Sequence, residues 1–369
     1  MPSIGLKKLA NPMPTEAPCL KVPKTDGEKT LTLANKLGLT DKTLIIQKDP
    51  TGLLCIPLTR KPEEKESALL KTQIPQLQLA TQVFPEKIQQ PKTLAEVLQN
   101  QLPPNLLEAL PRALDIVGDI AIIEIPPELQ THKNLVGKAI LKTHRSVRTV
   151  LAKAGAVSGT YRLREFDFIV GENKTTTLYK EHGCSYYVDV AKAYFSPRLS
   201  HEHNRVASVV QNGETVVDLF AGVGPFAVPI AKKHPDVKVY GVDINPDAVA
   251  LLEKNARLNR VENRVYPIVG DARQIVNEKL RGIADRVIMN LPETANEFID
   301  TACKAVKPKG GTVHFYGFIR LDETLEDMKQ HFAEAVEKAG MKVESVSYAK
   351  TVRETAPHEC QAVVDAQIR

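Results

Sequence analysis

The stretch VVDLFAGVGPFAVPIAKK (216–233) joins an apolar run, a glycine turn and a helix-like segment. Gly222, Gly224 and Ala227 carry the G-x-G-x-x-[GA] spacing of a nucleotide-binding turn. Glycine lets the backbone approach a ligand where a Cβ would clash, and the helix that follows aims its first amides at that ligand. In a nicotinamide enzyme those amides hold a pyrophosphate, and an acidic residue about 20 positions on takes the ribose. Asp243, closing VYGVDI, stands at that place. At the level of the turn, a nicotinamide enzyme and an S-adenosylmethionine enzyme are both candidates.

Three further features separate them. Asp218 lies at the end of the first strand, where a carboxylate suits the ammonium of a methionine moiety and repels a pyrophosphate. Gly270-Asp271-Ala272 follows another strand, where a side-chain acceptor could take an adenine amino group. Asn290-Leu291-Pro292 ends a fourth strand at the carboxyl edge, where open α/β sheets place their chemistry. Each has a plainer alternative: a helix cap for Asp218, a simple turn for GDA, a strand terminator for NLP. All of them fall in order on successive strand ends, which favours the methyl donor.

The elements that must position these groups alternate from Glu214 onward. ETVVDLF, VKVYGVDI, RVYPIVGD, DRVIMNLP and GTVHFYGFI read as strands, separated by helices, and this predicts a parallel sheet. MKVESVSYAKTV and CQAVVDAQI follow with a connection short enough to predict an antiparallel pair. Upstream, residues 1–70 read as a small α/β unit behind a loose tail (1–18), with CLKVP a strand, DGEKTLTLANKLGL a helix, and a hairpin turning at Asp49-Pro50-Thr51-Gly52. The charged, Gln- and Pro-rich 71–92 reads as a linker. A second unit spans 93–204, opening at Thr93 as an N-cap, and the sheet domain is expected over 205–369. Within the second unit, 133–155 reads as one amphipathic helix. Lys138, Lys142, Arg145, Arg148 and Lys153 lie on its polar face or edges, able to contact phosphates, though a solvated face is the commoner fate of such spacing.

Composition bounds the rest. The 369 residues are 43% hydrophobic and 25% charged, enough for two or three ordinary globular units. No apolar run reaches membrane-spanning length, and the N-terminus carries no signal-peptide pattern. Cys19, Cys55, Cys184, Cys303 and Cys360 form neither C-x-x-C pairs nor metal spacing, so a reducing cytosol and no metal site are expected. A net charge of +5 permits a polyanionic partner.

DLFAGVGPFAVPIAKK, VYGVDINPDAV, IVGDAR and NLPETANEFID resemble the cofactor-binding strand ends of the archaeal and eukaryotic tRNA methyltransferases that act on N1 of guanine 37, beside the anticodon. GTYRLREFDFIVGENKTTTLYKEHGCSYYVDVAKAYFSPRLSHEHNRV resembles that family's substrate-side segment, and CLKVPKTDGEKTLTLANKLGL its extra N-terminal domain. The resemblance implies a class I, Rossmann-like S-adenosylmethionine-dependent methyltransferase domain behind two smaller α/β (α+β) domains. It implies S-adenosylmethionine as cofactor and tRNA as partner, gripped at the anticodon stem-loop and the elbow, by a cytoplasmic monomer.

N1 of guanine carries a proton at neutral pH, so its methylation needs a base, and charge developing at O6 needs a cation or donor. The resemblance assigns Glu202 as proton acceptor, Arg162 as the group at O6, and Asn290 as a contact to the guanine edge. It puts Pro292 in the pocket wall and Tyr194 near the methionine end of the cofactor, with Asp218, Gly222, Gly224, Asp243 and Asp271 completing the cofactor site. Arg164, with Lys138, Lys142 and Arg145, would contact the RNA. His203 replaces an arginine usual in the family's SPRLxxER pattern and is expected to assist binding of the base. Without the resemblance, Glu202 reads as a solvated residue and Arg162 as half of a surface ion pair in a strand. The alternatives are a wyosine-pathway enzyme of the same superfamily (carbon methylation or aminocarboxypropyl transfer), a non-catalytic tRNA-binding relative and, more distantly, a dehydrogenase.

Overall fold

The computed structural model describes residues 14–87, 93–155, 159–320, 322–356 and 358–369. The chain divides into two compact units, Met1–Pro91 and Lys92–Arg369.

The first unit runs β1 (Thr15–Val22), α1 (Gly27–Lys36), β2 (Gln47–Lys48), β3 (Leu54–Pro57), α2 (Glu64–Gln73) and β4 (Gln78–Phe84), its antiparallel sheet ordered β2-β3-β1-β4. Leu20, Val22 and Ile56 meet Ala34 of α1 and Leu70 of α2 in its main core. The expected hairpin turn is present, Gly52 N donating to the Asp49 carbonyl at 2.9 Å. The expected linker is not a linker. Its residues 78–84 pair with the whole of β1, from Lys21↔Gln78 to Thr15↔Phe84. Ala80, Gln82 and Phe84 alternate with the exposed Leu79, Thr81 and Val83, a strand period that the glutamine and proline content obscures. β1 also begins inside the expected tail; residues 1–13 of that tail and 88–92 of the linker lie outside the described residues.

The second unit opens with α3 (Leu94–Leu98), α4 (Pro104–Glu108), β5 (Asp115–Val117), β6 (Ile120–Ile123), α5 (Lys133–Thr143), β7 (Thr149–Lys153) and β8 (Phe166–Gly171). Thr93 caps α3, accepting from Glu96 N at 3.2 Å. The four strands form one sheet in the order β5-β6-β7-β8. The helix expected over 133–155 stops at Thr143, because Thr149-Val150-Leu151 enters the sheet beside β6. Lys138 and Lys142 therefore lie on α5, Arg145 and Arg148 in the turn after it, and Lys153 at the end of β7. The strand expected through RLRE likewise starts only at Phe166; Arg162 sits in a turn with φ +54°.

A hairpin of β9 (Thr176–Glu181) and β10 (Cys184–Asp189) leads into α6 (Ser200–Val209), so the boundary expected at 204/205 falls inside a helix. The large sheet follows: β11 (Thr215–Asp218), α7 (Ala227–Lys233), β12 (Lys238–Asp243), α8 (Pro246–Leu258), β13 (Val265–Val269), α9 (Ala272–Ile275), β14 (Arg286–Met289), α10 (Ile299–Ala305), β15 (Gly311–Arg320), α11 (Leu325–Lys338), β16 (Val343–Ala356) and β17 (Glu359–Ile368). Its order is β13-β12-β11-β14-β15-β17-β16. The first five strands are parallel, and β17 runs antiparallel between β15 and β16, as the short connection predicts. Both faces are covered. Val216 and Ile288 belong to one core and Val217, Val287 and Met289 to the other, which is why these strands read as unbroken apolar runs. The order reverses between β11 and β14, so a crevice opens at their carboxyl ends. Among the described residues no helix is long and apolar enough to cross a membrane.

Candidate active site

The glycine turn occupies that crevice. Gly222 and Gly224 adopt φ +52° and +92°, which L side chains rarely reach. A Cβ at Gly224 would lie 2.3 Å from Leu252, whereas one at Gly222 would point into open space, with the Tyr194 carbonyl nearest at 3.8 Å. Asp243 ties the turn to β12: one carboxylate oxygen accepts from Gly222 N at 2.7 Å, the other from Asn245 N at 2.9 Å. Asp218 is fully buried; Oδ1 accepts from Phe220 N at 3.3 Å, and Oδ2 has no partner. Burial, with Asp243 nearby adding to it, pushes the Asp218 carboxyl up to about 7, and burial also raises Asp243. Two confined carboxylates with an orphaned oxygen fit a ligand that brings a cation and disfavour a pyrophosphate. Asp271 caps α9 through Oδ1, accepting from Arg273 N at 2.8 Å, and is only partly buried.

Glu202 is not a solvated residue. It sits in the first turn of α6, 3% exposed. Arg205, three positions on, donates Nε to Oε1 and Oε2 at 3.1 and 3.0 Å and Nη2 to Oε2 at 2.8 Å. The Tyr316 hydroxyl donates to Oε2 at 2.8 Å. Oε2 is thus crowded with donors, and Oε1 keeps the freer lone pair. Arg205 is itself clamped: its Nη1 meets Asp365 of β17 at 2.5 Å and its guanidinium lies 4.1 Å from the centre of the Tyr348 ring. Behind Asp365, His314 Nδ1 lies 2.7 Å away, and Arg286 donates to His314 Nε2 at 2.9 Å. Since an arginine only donates, that imidazole is neutral with its hydrogen on Nδ1, in keeping with a pKa lowered by burial.

Asn290 emerges from β14 with Oδ1 accepting from Gln361 of β17 at 3.2 Å. Arg162 reaches the same corner by a two-pronged ion pair with Glu293, directly after Pro292. That contact raises the Arg162 pKa, with a smaller contribution from Tyr194. The plain expectation of an ion pair thus holds for Arg162, but its partner ties the turn at 159–162 to the end of β14. Tyr194 is 47% exposed beside both the glycine turn and Arg162. No hydrogen bond or ion pair among the described residues joins Glu202 directly to Arg162 or Asn290.

His203 is a correction. Its ring is 2% exposed, with Nδ1 2.7 Å from Glu181 Oε1 and its edge against Phe226, so it is committed to the core and not available as a surface donor. The helix turns successive residues by about 100°, which sends His203 away from the side Glu202 occupies and brings Arg205 back toward it. That E-x-x-R spacing was the available signal for Arg205. Tyr316, Asp365, Gln361 and Glu293 left none, being far off in sequence. Lys138, Lys142, Arg145 and Arg148 are exposed, and among the described residues none has an ion-pair partner; Arg164 is partly buried.

Residues 177–344 match the TRM5/TYW2 methyltransferase domain, 94–175 the TYW2 N-terminal domain and 19–66 the tRNA methyltransferase 5 N-terminal domain. The chain is 38% identical over 349 residues to the tRNA (guanine(37)-N(1))-methyltransferase Trm5b of Pyrococcus abyssi, covering 95% of this chain and 98% of that one. The chain belongs to the TRM5/TYW2 methyltransferase family. The crystal structure of P. abyssi Trm5b superposes with a TM-score of 0.72 at 35% identity over 95% of this chain and 99% of its own. A second family structure, a complex of aTrm5 with tRNALeu, gives 0.69 at 32% identity over 95% and 99%. Another relative, the tRNA 4-demethylwyosine(37)-methyltransferase Taw21 of Saccharolobus solfataricus, is 35% identical over 275 residues, 74% of this chain and 98% of that one. In this family the sheet is that of class I, Rossmann-like methyltransferases, and the cofactor is S-adenosylmethionine.

Proposed function

We propose that this protein methylates N1 of guanosine 37 in tRNA. The observation that carries this reading is the match to Trm5b over 95% of the chain, both units included. S-adenosylmethionine, when bound, supplies an electrophilic methyl group. Asp218 would meet its ammonium, Asp243 its ribose and Asp271 its adenine, and the open side of Gly222 beside Tyr194 would accommodate the methionine end. The target guanine leaves the anticodon-loop stack, as bases do for other base-modifying enzymes. Glu202 Oε1 takes the N1 proton while Arg205 and Tyr316 hold its carboxylate in place. Arg162 exchanges Glu293 for O6, Asn290 meets the base edge, and Pro292 walls the pocket.

The exposed Lys138, Lys142 and Arg145, with Arg164, contact phosphates of the anticodon stem, and the first unit grips the elbow. Reversing charge at Lys142 and Arg145 should weaken tRNA binding and flatten its salt dependence, by roughly 0.7–0.9 in log–log slope per lost phosphate contact. Filter binding across salt concentrations checks this; an unchanged slope removes these residues from the interface. The protein works as a monomer in the cytosol, where its five cysteines remain free thiols.

Asp218 gives a pH dependence. Its folded-state carboxyl, near 7 against the ordinary 3.8, binds a proton more tightly than the unfolded chain does. The cofactor-free protein therefore loses stability as pH rises from about 4 to about 7. A cofactor ammonium favours the ionised form, so cofactor affinity should rise through this range with release of a proton. Calorimetry in buffers of different ionisation enthalpy should detect that proton in the parent, and less of it in Asp218→Asn. Identical proton release in both would sink the assignment.

The identity with Taw21 supports a second reading, carbon methylation of a wyosine precursor. Offering unmodified tRNA and tRNA bearing 4-demethylwyosine at position 37 decides between them. Methylation of the first alone supports N1 transfer, and of the second alone the rival.

A further inference from the structure

Gln361 lies 1% exposed in β17, opposite Arg353 of β16, and sits in a directional chain of hydrogen bonds. Its Nε2 donates to Asn290 Oδ1 at 3.2 Å, and its Oε1 accepts from Arg353 Nε at 3.0 Å. Arg353 Nη1 donates in turn to Ser196 Oγ at 3.3 Å, within YFSPRL. A side-chain amide could in principle sit either way round, but a guanidinium has no acceptor. Arg353 therefore fixes the Gln361 oxygen toward itself and the Gln361 nitrogen toward Asn290. Asn290 must then turn its carbonyl to Gln361 and leave its NH2 for another partner.

We infer that Gln361 is a positioning residue, setting the Asn290 amide so that it offers hydrogens rather than a carbonyl to the target base. This rests on the proposed role of Asn290 at the guanine edge. The device selects bases that carry an acceptor where Asn290 points. It also couples YFSPRL to NLP through β17, the strand that holds Asp365, and through it Arg205 and Glu202, on the same face four positions along. Both groups assigned to the base thus take their orientation from one strand outside the cofactor-binding half of the sheet.

Gln361→Glu keeps the link to Arg353 and reverses the one to Asn290. The new carboxylate still accepts from Arg353, but it can accept only from the Asn290 NH2, which turns the Asn290 carbonyl toward the base. Gln361→Met keeps the volume and removes both links, leaving Asn290 free to flip. With full-length protein and a tRNA transcript carrying guanine 37, kcat should fall at least about tenfold in Gln361→Glu, the scale of one hydrogen bond exchanged for a repulsion. The fall should be smaller in Gln361→Met, and the KM for S-adenosylmethionine should stay within about twofold in both. Combined with Asn290→Ala, Gln361→Glu should lower kcat by no more than about a further twofold, because its effect passes through Asn290. An unchanged kcat in Gln361→Glu, or a full additional loss in the Asn290→Ala background, overturns the inference. Asn290→Ala with the parent's kcat overturns the role of Asn290 and the inference with it, whereas loss of the 1-methylguanosine product in the parent would strike the proposed function instead.

Discussion

Glu202→Gln should lower kcat for guanine-37 methylation by about 10²–10⁴-fold, the usual worth of a positioned general base. The amide keeps the shape of the carboxylate, and its one oxygen can still take the bonds from Arg205 and Tyr316 at the Oε2 position. What it loses is the acceptor at Oε1, replaced by an NH2 that cannot receive the N1 proton. Cofactor affinity should stay within about twofold, since the residues proposed to hold the cofactor lie at the ends of β11, β12 and β13. Single-turnover kinetics from about pH 6 to 9, with cofactor binding measured separately, tests this. A variant within about threefold of the parent across that range would remove Glu202 as the base.

Arg205→Ala should be the most destabilising single change near the site. Glu202 and Asp365 are each 3% exposed, and Arg205 pairs with both. Removing it takes the cation from both buried carboxylates, leaving Glu202 to the Tyr316 hydroxyl and Asp365 to the neutral His314, at a cost of about 3–5 kcal/mol. The cost has a pH signature. Burial raises the Asp365 carboxyl, but His314 and Arg205 outweigh it and hold the pKa below the ordinary 3.8. A folded-state pKa below the unfolded one gives stability that is present above about pH 4 and lost as pH falls through the folded value. Without Arg205, burial is opposed at Asp365 by His314 alone, its carboxyl moves up, and the variant loses stability as pH climbs. The gap between parent and variant should therefore widen from about pH 4 toward neutrality, as denaturant unfolding at several pH values would show. A gap that stays constant with pH, or none at all, would mean that Arg205 does not hold these carboxylates.

The sheet domain was readable from the residues because its central strands are covered on both faces. Short apolar runs closed by Asp218, Asp243, Gly270 and Asn290 marked the strand ends, and the brief connection before Glu359 marked the antiparallel pair. Local geometry was harder. β4 hid behind glutamines, and Arg162 behind a strand-like run that begins four residues later. At the site, residue types could be read but their partners could not. Tyr316 and Asp365 reach Glu202 and Arg205 from 114 and 160 positions away, and Gln361 reaches Asn290 from 71, so topology alone brings them together. Around Glu202 the helix period decides: it makes Arg205 the neighbour of Glu202 and turns His203 into the core.

The central claim, methyl transfer to N1 of guanine 37, is tested most directly with labelled S-adenosylmethionine and two unmodified tRNA transcripts that differ only in guanine or adenine at position 37. Label entering the guanine transcript alone, recovered as 1-methylguanosine after digestion, is the predicted result. Label in the adenine transcript, or in a nucleoside other than 1-methylguanosine, would contradict it.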